Sequence, residues 1–156
     1  MGATTTVFKN LLKQLASDFP ALRFQPGNEY RWSPDEKTVY FDQEQPKDTP
    51  LLLHETAHAL LGHVSYDRDI ELIQLEREAW TKAEELGRRY SIVIAENTRE
   101  DALDSYRDWL HARSLCPSCA QNGVQIATNQ YTCVLCNAQW HVNDAKHCGL
   151  RRQRLR

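Results

Sequence analysis

His54 and His58, four residues apart in the apolar stretch Leu51–Gly62, are the residues best spaced for chemistry. On a helix, side chains four apart share a face, so both imidazoles can address one metal ion. Glu55, beside the first, can reach a water at the coordination position those ligands leave open. Two imidazoles, an adjacent carboxylate base and an open position are the ingredients of zinc-assisted hydrolysis.

Such a centre takes a third protein ligand. Downstream stand His63, Glu71, Glu76, Glu78, Glu84 and Glu85. Helical geometry separates them. Leu72, Leu75, Ala79, Ala83, Leu86 and Tyr90 define the apolar face of a helix over about 70–90. Glu76 falls about 40° from Leu72 on that helix, and Glu78 about 120°. A carboxylate on an apolar face is costly unless it is paired or binds metal, which favours Glu76 and leaves Glu78 as the alternative. His63, five residues beyond His58, falls about 140° round a continuing helix, which points it away from the metal and assigns it to the helix C-terminus.

A second constellation lies downstream. Cys116-Pro117-Ser118-Cys119 and Cys133-Val134-Leu135-Cys136 are two C-x-x-C pairs thirteen residues apart. Four thiolates so arranged make a structural zinc site, and metal supplies the folding energy that a segment poor in aliphatic residues lacks. Tyr131 and Trp140 are expected to cover this ribbon. Cys148 is left over as a free thiol, and His141 and His147 are spare. The expected cofactors are therefore two zinc ions per chain, one catalytic and one structural.

The elements that position these residues follow from periodicity. Val7, Phe8, Leu11, Leu12 and Leu15 predict a helix over 4–18, closed by Pro20. Pro26-Gly27-Asn28 reads as a turn. Glu29–Asp42 reads as a β-hairpin, with Thr38, Val39, Tyr40 and Phe41 as a returning strand whose open edge would pair with a peptide substrate. Thr49 is the expected N-cap and Pro50 the first residue of the motif helix. Ile92–Ala95 is short, apolar and extended, and a last helix spans about 98–113 with His111 on its surface.

His54-Glu55-Thr56-Ala57-His58, followed by Glu76-Arg77-Glu78-Ala79 and Ala83, resembles the ImmA/IrrE-type metallopeptidases. These are gluzincin-like proteins that take a third ligand from an E-x-x-A pattern on the next helix. The resemblance covers roughly residues 28–90. It implies Glu76 as the third ligand, peptide hydrolysis as the activity, and a protein substrate, in that family often a DNA-binding repressor. Trp80 stands where the family usually has Asn or Asp. SprT-like proteases, which join the same motif to a zinc ribbon and are DNA-associated, are the second resemblance; they use a third histidine. A non-catalytic zinc-binding interaction module is the alternative from another class, and the intact Glu55 argues against it.

The expected architecture is α+β: a zincin-like helical domain with a small antiparallel sheet over 1–113, a zinc ribbon over 114–149, and a basic tail over 150–156. Arg151, Arg152, Arg154 and Arg156 concentrate positive charge in that tail. The ribbon and tail suit docking to nucleic acid or to another protein, and the sequence leaves both open. Zinc in the catalytic centre would lower the pKa of its water, with Tyr66, His63 and Tyr90 as candidates to steady the oxyanion. Cysteine grouping favours metal over disulfides and hence a reducing, cytoplasmic setting. Met1–Asn10 shows no signal-peptide pattern, Met1-Gly2 with Thr6 only formally matches a myristoylation signal, and no apolar run is long enough to span a bilayer.

Overall fold

The N-terminal helix α1, Gly2–Asp18, turns Phe8, Leu11 and Leu15 inward, each at most 1% exposed. Burying such side chains stabilises by roughly 1.5–3 kcal/mol apiece. Phe8 meets Phe41 edge-on, with ring centroids 5.5 Å apart, and this pins α1 to the sheet that follows. The computed structural model describes residues 2–44, 48–144 and 150–155; Met1, His147, Cys148 and Arg156 lie outside them, so the readings of these residues do too.

Among the described residues the chain is α+β, with four helices and two small sheets. It divides into two compact units, Met1–Val64 with Leu75–Glu96, and Ser65–Gln74 with Asn97–Arg156. This grouping differs from the division expected at residue 113, because the last helix and the start of the third belong with the cysteines.

In the first unit, β1 (Arg23–Gly27), β2 (Arg31–Ser33) and β3 (Thr38–Asp42) form a sheet in the order β1-β3-β2. The β2–β3 pair is the expected antiparallel hairpin, but β1 adds in parallel on the other side, Arg23 opposite Thr38. Pro26 tolerates this because β1 is an edge strand, where a missing N–H goes unmissed. The expectation that Thr38, Val39, Tyr40 and Phe41 offer an open edge is thereby corrected. Their strand is central, its ladder groups are taken on both sides, and Thr38 and Val39 are almost wholly buried.

Helix α2, Thr49–Leu60, carries the motif. Its N-cap is Asp48, one residue earlier than expected: the Asp48 carboxylate accepts from the Leu51 N–H at 2.9 Å. The helix closes through Gly62 at φ +70°. The Gly62 N–H donates to Ala59 O at 3.2 Å and the His63 N–H to His58 O at 3.1 Å. This is a Schellman closure, which favours glycine at the left-handed position. Helix α3, Asp69–Tyr90, spans both units. Residues 92–95 follow it without regular structure, so the extended stretch expected there forms no strand.

In the second unit, helix α4 is Glu96–Ser114. Strands β4 (Val124–Ala127), β5 (Gln130–Thr132), β6 (Gln139–Val142) and β7 (Arg152–Arg154) form an antiparallel meander in sequence order. Tyr131, Trp140, Ala138 and Val142 make its small core with Cys116 and Cys133. Residues 152–154 of the segment expected as a basic tail form the fourth strand of this sheet. Leu155 N–H donates to Gln139 O at 2.8 Å, and the Arg152 guanidinium is spent on Leu115 O at 2.6 Å.

A buried ionic network closes the second unit. Arg113, 2% exposed, donates to Asp69 from Nε at 2.7 Å and from Nη2 at 3.3 Å. It also donates to Asn129 Oδ1 at 2.6 Å and to Asn143 O at 2.5 Å. The Tyr131 hydroxyl donates to Asp69 Oδ2 at 2.6 Å, and the Trp140 indole to Arg113 O at 2.9 Å. The start of α3, the end of α4 and strand β5 are thus tied to one buried carboxylate.

Candidate metal centres

Helix α2 turns His54 inward and leaves His58 half-buried, with their Nε2 atoms 3.1 Å apart. Glu76, in the part of α3 that belongs to the same unit, brings Oε2 to 2.9 Å from His54 Nε2 and Oε1 to 3.2 Å from His58 Nε2. Ala79 and Ala83, wholly buried, keep that face of α3 slim. Glu76 Oε2 is buried and has no aligned hydrogen-bond donor among the described residues despite that 2.9 Å approach. Two imidazole nitrogens and a carboxylate are therefore gathered within 2.9–3.2 Å of one another. A tetrahedral zinc about 2.0–2.1 Å from each nitrogen or oxygen sets its ligands about 3.3 Å apart, so the triangle fits such an ion.

Charge and packing support the triangle. Burial would raise the Glu76 pKa, but the His54 and His58 imidazoles beside the carboxylate outweigh it and hold the carboxyl down to about 2. Trp80 stacks on His54, ring centroids 4.2 Å apart, and fixes that imidazole from the side. A Glu55 carboxylate oxygen lies within 4.8 Å of a ring nitrogen of His54 and of one of His58. Its Oε2 accepts from the Trp32 N–H at 2.8 Å. Burial raises the Glu55 pKa against the opposing influence of His54, His58 and this hydrogen bond. The outward N–H of β2 is therefore occupied by the motif glutamate.

His63 is not where a continuing helix would place it. The Schellman turn folds it back, so that His63 Nδ1 lies 2.9 Å from His58 Nδ1, on the side of that ring remote from Glu76. His63 Nε2 lies 3.3 Å from Glu78 Oε2. The assignment of His63 to the helix dipole is corrected, and Glu78 meets His63 instead of joining the triangle. Burial and the adjacent His58 push the His63 pKa down, against the pull of Glu78. The sequence signal for this arrangement is Gly62, whose left-handed conformation ends the helix one residue before His63. Of the three oxyanion candidates, His63 is engaged at both nitrogens, the Tyr90 hydroxyl donates to Asp18 at 2.6 Å, and Tyr66 belongs to the second unit.

The four cysteines form a second centre. Cys116 and Cys136 sulfurs are 3.7 Å apart, and those of Cys119 and Cys133 3.5 Å. Zinc about 2.3 Å from each of four sulfurs separates them by about 3.8 Å, whereas a disulfide would need roughly 2.05 Å. The two C-x-x-C turns repeat each other. Cys116 N–H donates to Gln121 O and Cys133 N–H to Ala138 O, both at 2.8 Å. Ala120 and Asn137, next after the second cysteine of each pair, both take φ +60°. Ser118 N–H and Leu135 N–H each approach the first sulfur of their pair at 3.4 Å. Such donors favour thiolate: against burial, they help bring the Cys116 pKa down to about 6, and they lower that of Cys133. His141 is exposed on β6, paired with Gln130 and Gln153, outside this group.

Groups among the described residues that could hold a metal ion therefore fall in two clusters, one per unit. None of the described helices is long and apolar enough to cross a membrane. No family model matches the chain, and neither the curated proteins nor the solved structures yield a match.

Proposed function

We propose that this chain is a zinc-dependent peptidase with a zincin-like first unit and a structural zinc in the second. The observation that carries the reading is the convergence of His54 Nε2, His58 Nε2 and the Glu76 carboxylate within 2.9–3.2 Å, with Glu55 beside them. Resemblance to the ImmA/IrrE-type peptidases points to the same three ligands. Bound zinc supplies Lewis acidity, which polarises a scissile carbonyl and lets water lose a proton near neutral pH.

The chain's own groups do the rest. His54, His58 and Glu76 hold the ion, and Trp80 fixes the His54 ring. Trp32 N–H anchors Glu55 Oε2, so that Oε1 takes the proton from the attacking water and passes it to the leaving amine. The raised pKa of Glu55 suits a group that must both accept and return a proton. Cys116, Cys119, Cys133 and Cys136 hold the structural zinc, which calls for reduced thiols and so for a cytoplasmic setting. The substrate is a protein, with a DNA-binding repressor the class the resemblance favours. Arg152 is spent on Leu115, which leaves exposed Arg151 and Arg154 for docking nucleic acid or a protein.

The test is Glu55→Gln. Zinc-loaded wild-type protein is incubated with a proteome-derived peptide library, and new termini are read by mass spectrometry. Wild type should generate them, and the variant, still holding its zinc, should not. Cleavage by Glu55→Gln at the wild-type rate would refute the mechanism.

A further inference from the structure

We propose that His63 and Glu78 are positioning residues for the metal ligand His58, forming a directed relay behind it. The inference rests on the zinc reading of the His54–His58–Glu76 centre and extends it to residues that do not touch the ion. His58 faces Glu76 and His54 with Nε2, which leaves Nδ1 as its second ring nitrogen. A neutral imidazole that binds metal through Nε2 carries its proton on Nδ1. That proton points at His63 Nδ1, 2.9 Å away, so His63 must accept there and carry its own proton on Nε2. The His63 Nε2–H in turn meets Glu78 Oε2 at 3.3 Å. Metal binding at one end thus fixes every proton in the chain: His58 Nδ1–H to His63 Nδ1, then His63 Nε2–H to Glu78.

The relay is built into the fold. The His63 backbone is fixed by its N–H to His58 O, and its carbonyl accepts from the Trp32 indole at 3.0 Å. Its side chain is 10% exposed and that of His58 12%, so water competes poorly for the shared hydrogen bond. Glu78 is 47% exposed at its side chain and reaches in from the rim. Polar partners that orient a metal-binding imidazole and raise its basicity are worth roughly 10- to 100-fold in metal affinity.

The experiment measures zinc and needs no substrate. Wild-type protein is titrated with a colorimetric zinc chelator, which distinguishes the thiolate site from the His54–His58–Glu76 site. His63→Ala should weaken the second site about 10- to 100-fold and leave the first unchanged. His63→Gln should restore most of the loss, because its amide oxygen can accept from His58 and its amide N–H can reach Glu78. Nitrogen-15 spectra of the zinc-loaded protein should show His58 protonated on Nδ1 and His63 on Nε2. Unchanged affinity in His63→Ala, or a His63 protonated on Nδ1, would overturn the relay while zinc stays bound. Wild-type protein that holds only the thiolate zinc would overturn the relay together with the metal reading beneath it.

Discussion

Arg113 is the residue whose loss the second unit should feel most. Replacing it with Met keeps much of the aliphatic stem and removes the guanidinium. Four hydrogen bonds go, at 2.7, 3.3, 2.6 and 2.5 Å. Asp69, 3% exposed, keeps the Tyr131 hydroxyl but loses the cation that balances its charge. Breaking a buried pair from one side costs about 3–5 kcal/mol, because the surviving charge is stranded. Removing both charges costs far less, since no ion is left in the low-dielectric interior. Arg113→Met with Asp69→Asn should therefore be less destabilised than Arg113→Met alone, by at least about 2 kcal/mol. The assay is amide hydrogen exchange of peptides from β5 and β6 in zinc-loaded protein, which reads the opening free energy of this unit alone. Arg113→Met should speed exchange there by roughly a hundredfold or more, and the second substitution should take back at least about thirtyfold. If the two substitutions add within about 0.5 kcal/mol, the stranded-charge account is wrong.

Two further outcomes follow from the turns beside the candidate metal centres. Gly62 has φ +70° and nothing within 4 Å of an added Cβ, so Gly62→Ala meets strain without a clash and should cost about 1–2 kcal/mol, read as faster exchange at the end of α2. Gly62→Asn should recover part of that loss, and a neutral Gly62→Ala would contradict the Schellman closure of the motif helix. Cys119→Ser should remove one zinc equivalent and expose the Trp140 environment, seen as red-shifted indole emission, while peptides 75–90 keep their exchange protection. Full zinc content in Cys119→Ser would deny that sulfur a place in the site.

Local pattern in the sequence carries a good deal of this. The helices read from apolar spacing are present, with ends that differ by a few residues, and the hairpin of β2 and β3 lies where branched and aromatic residues alternate. The two cysteine pairs and the His54–His58 spacing are legible because a metal site of that kind is written in short, fixed intervals. Glu76 can be singled out because burial on a helix is periodic, and a carboxylate on the apolar face stands out.

Other features depend on partners far away in the chain or on a change of conformation that periodicity ignores. Strand β1 contains Pro26 and Gly27, which read locally as a turn; only pairing with β3 makes it a strand, and that pairing moves Thr38–Phe41 from edge to centre. Arg152–Arg154 reads as a solvated tail because charge dominates its composition, yet backbone pairing with β6 needs no apolar side chain. Arg113 and Asp69 are 44 residues apart and each looks like surface by itself, so only their meeting justifies burying either charge. Extending the motif helix past Gly62 misplaces His63, because the chain leaves the helix at that glycine. The sequence by itself thus determined which residues could bind metal, since donor type and local spacing suffice for that. Tertiary structure decided which groups stand behind those ligands and which edges stay open, because long-range pairing and burial have no signature in local periodicity.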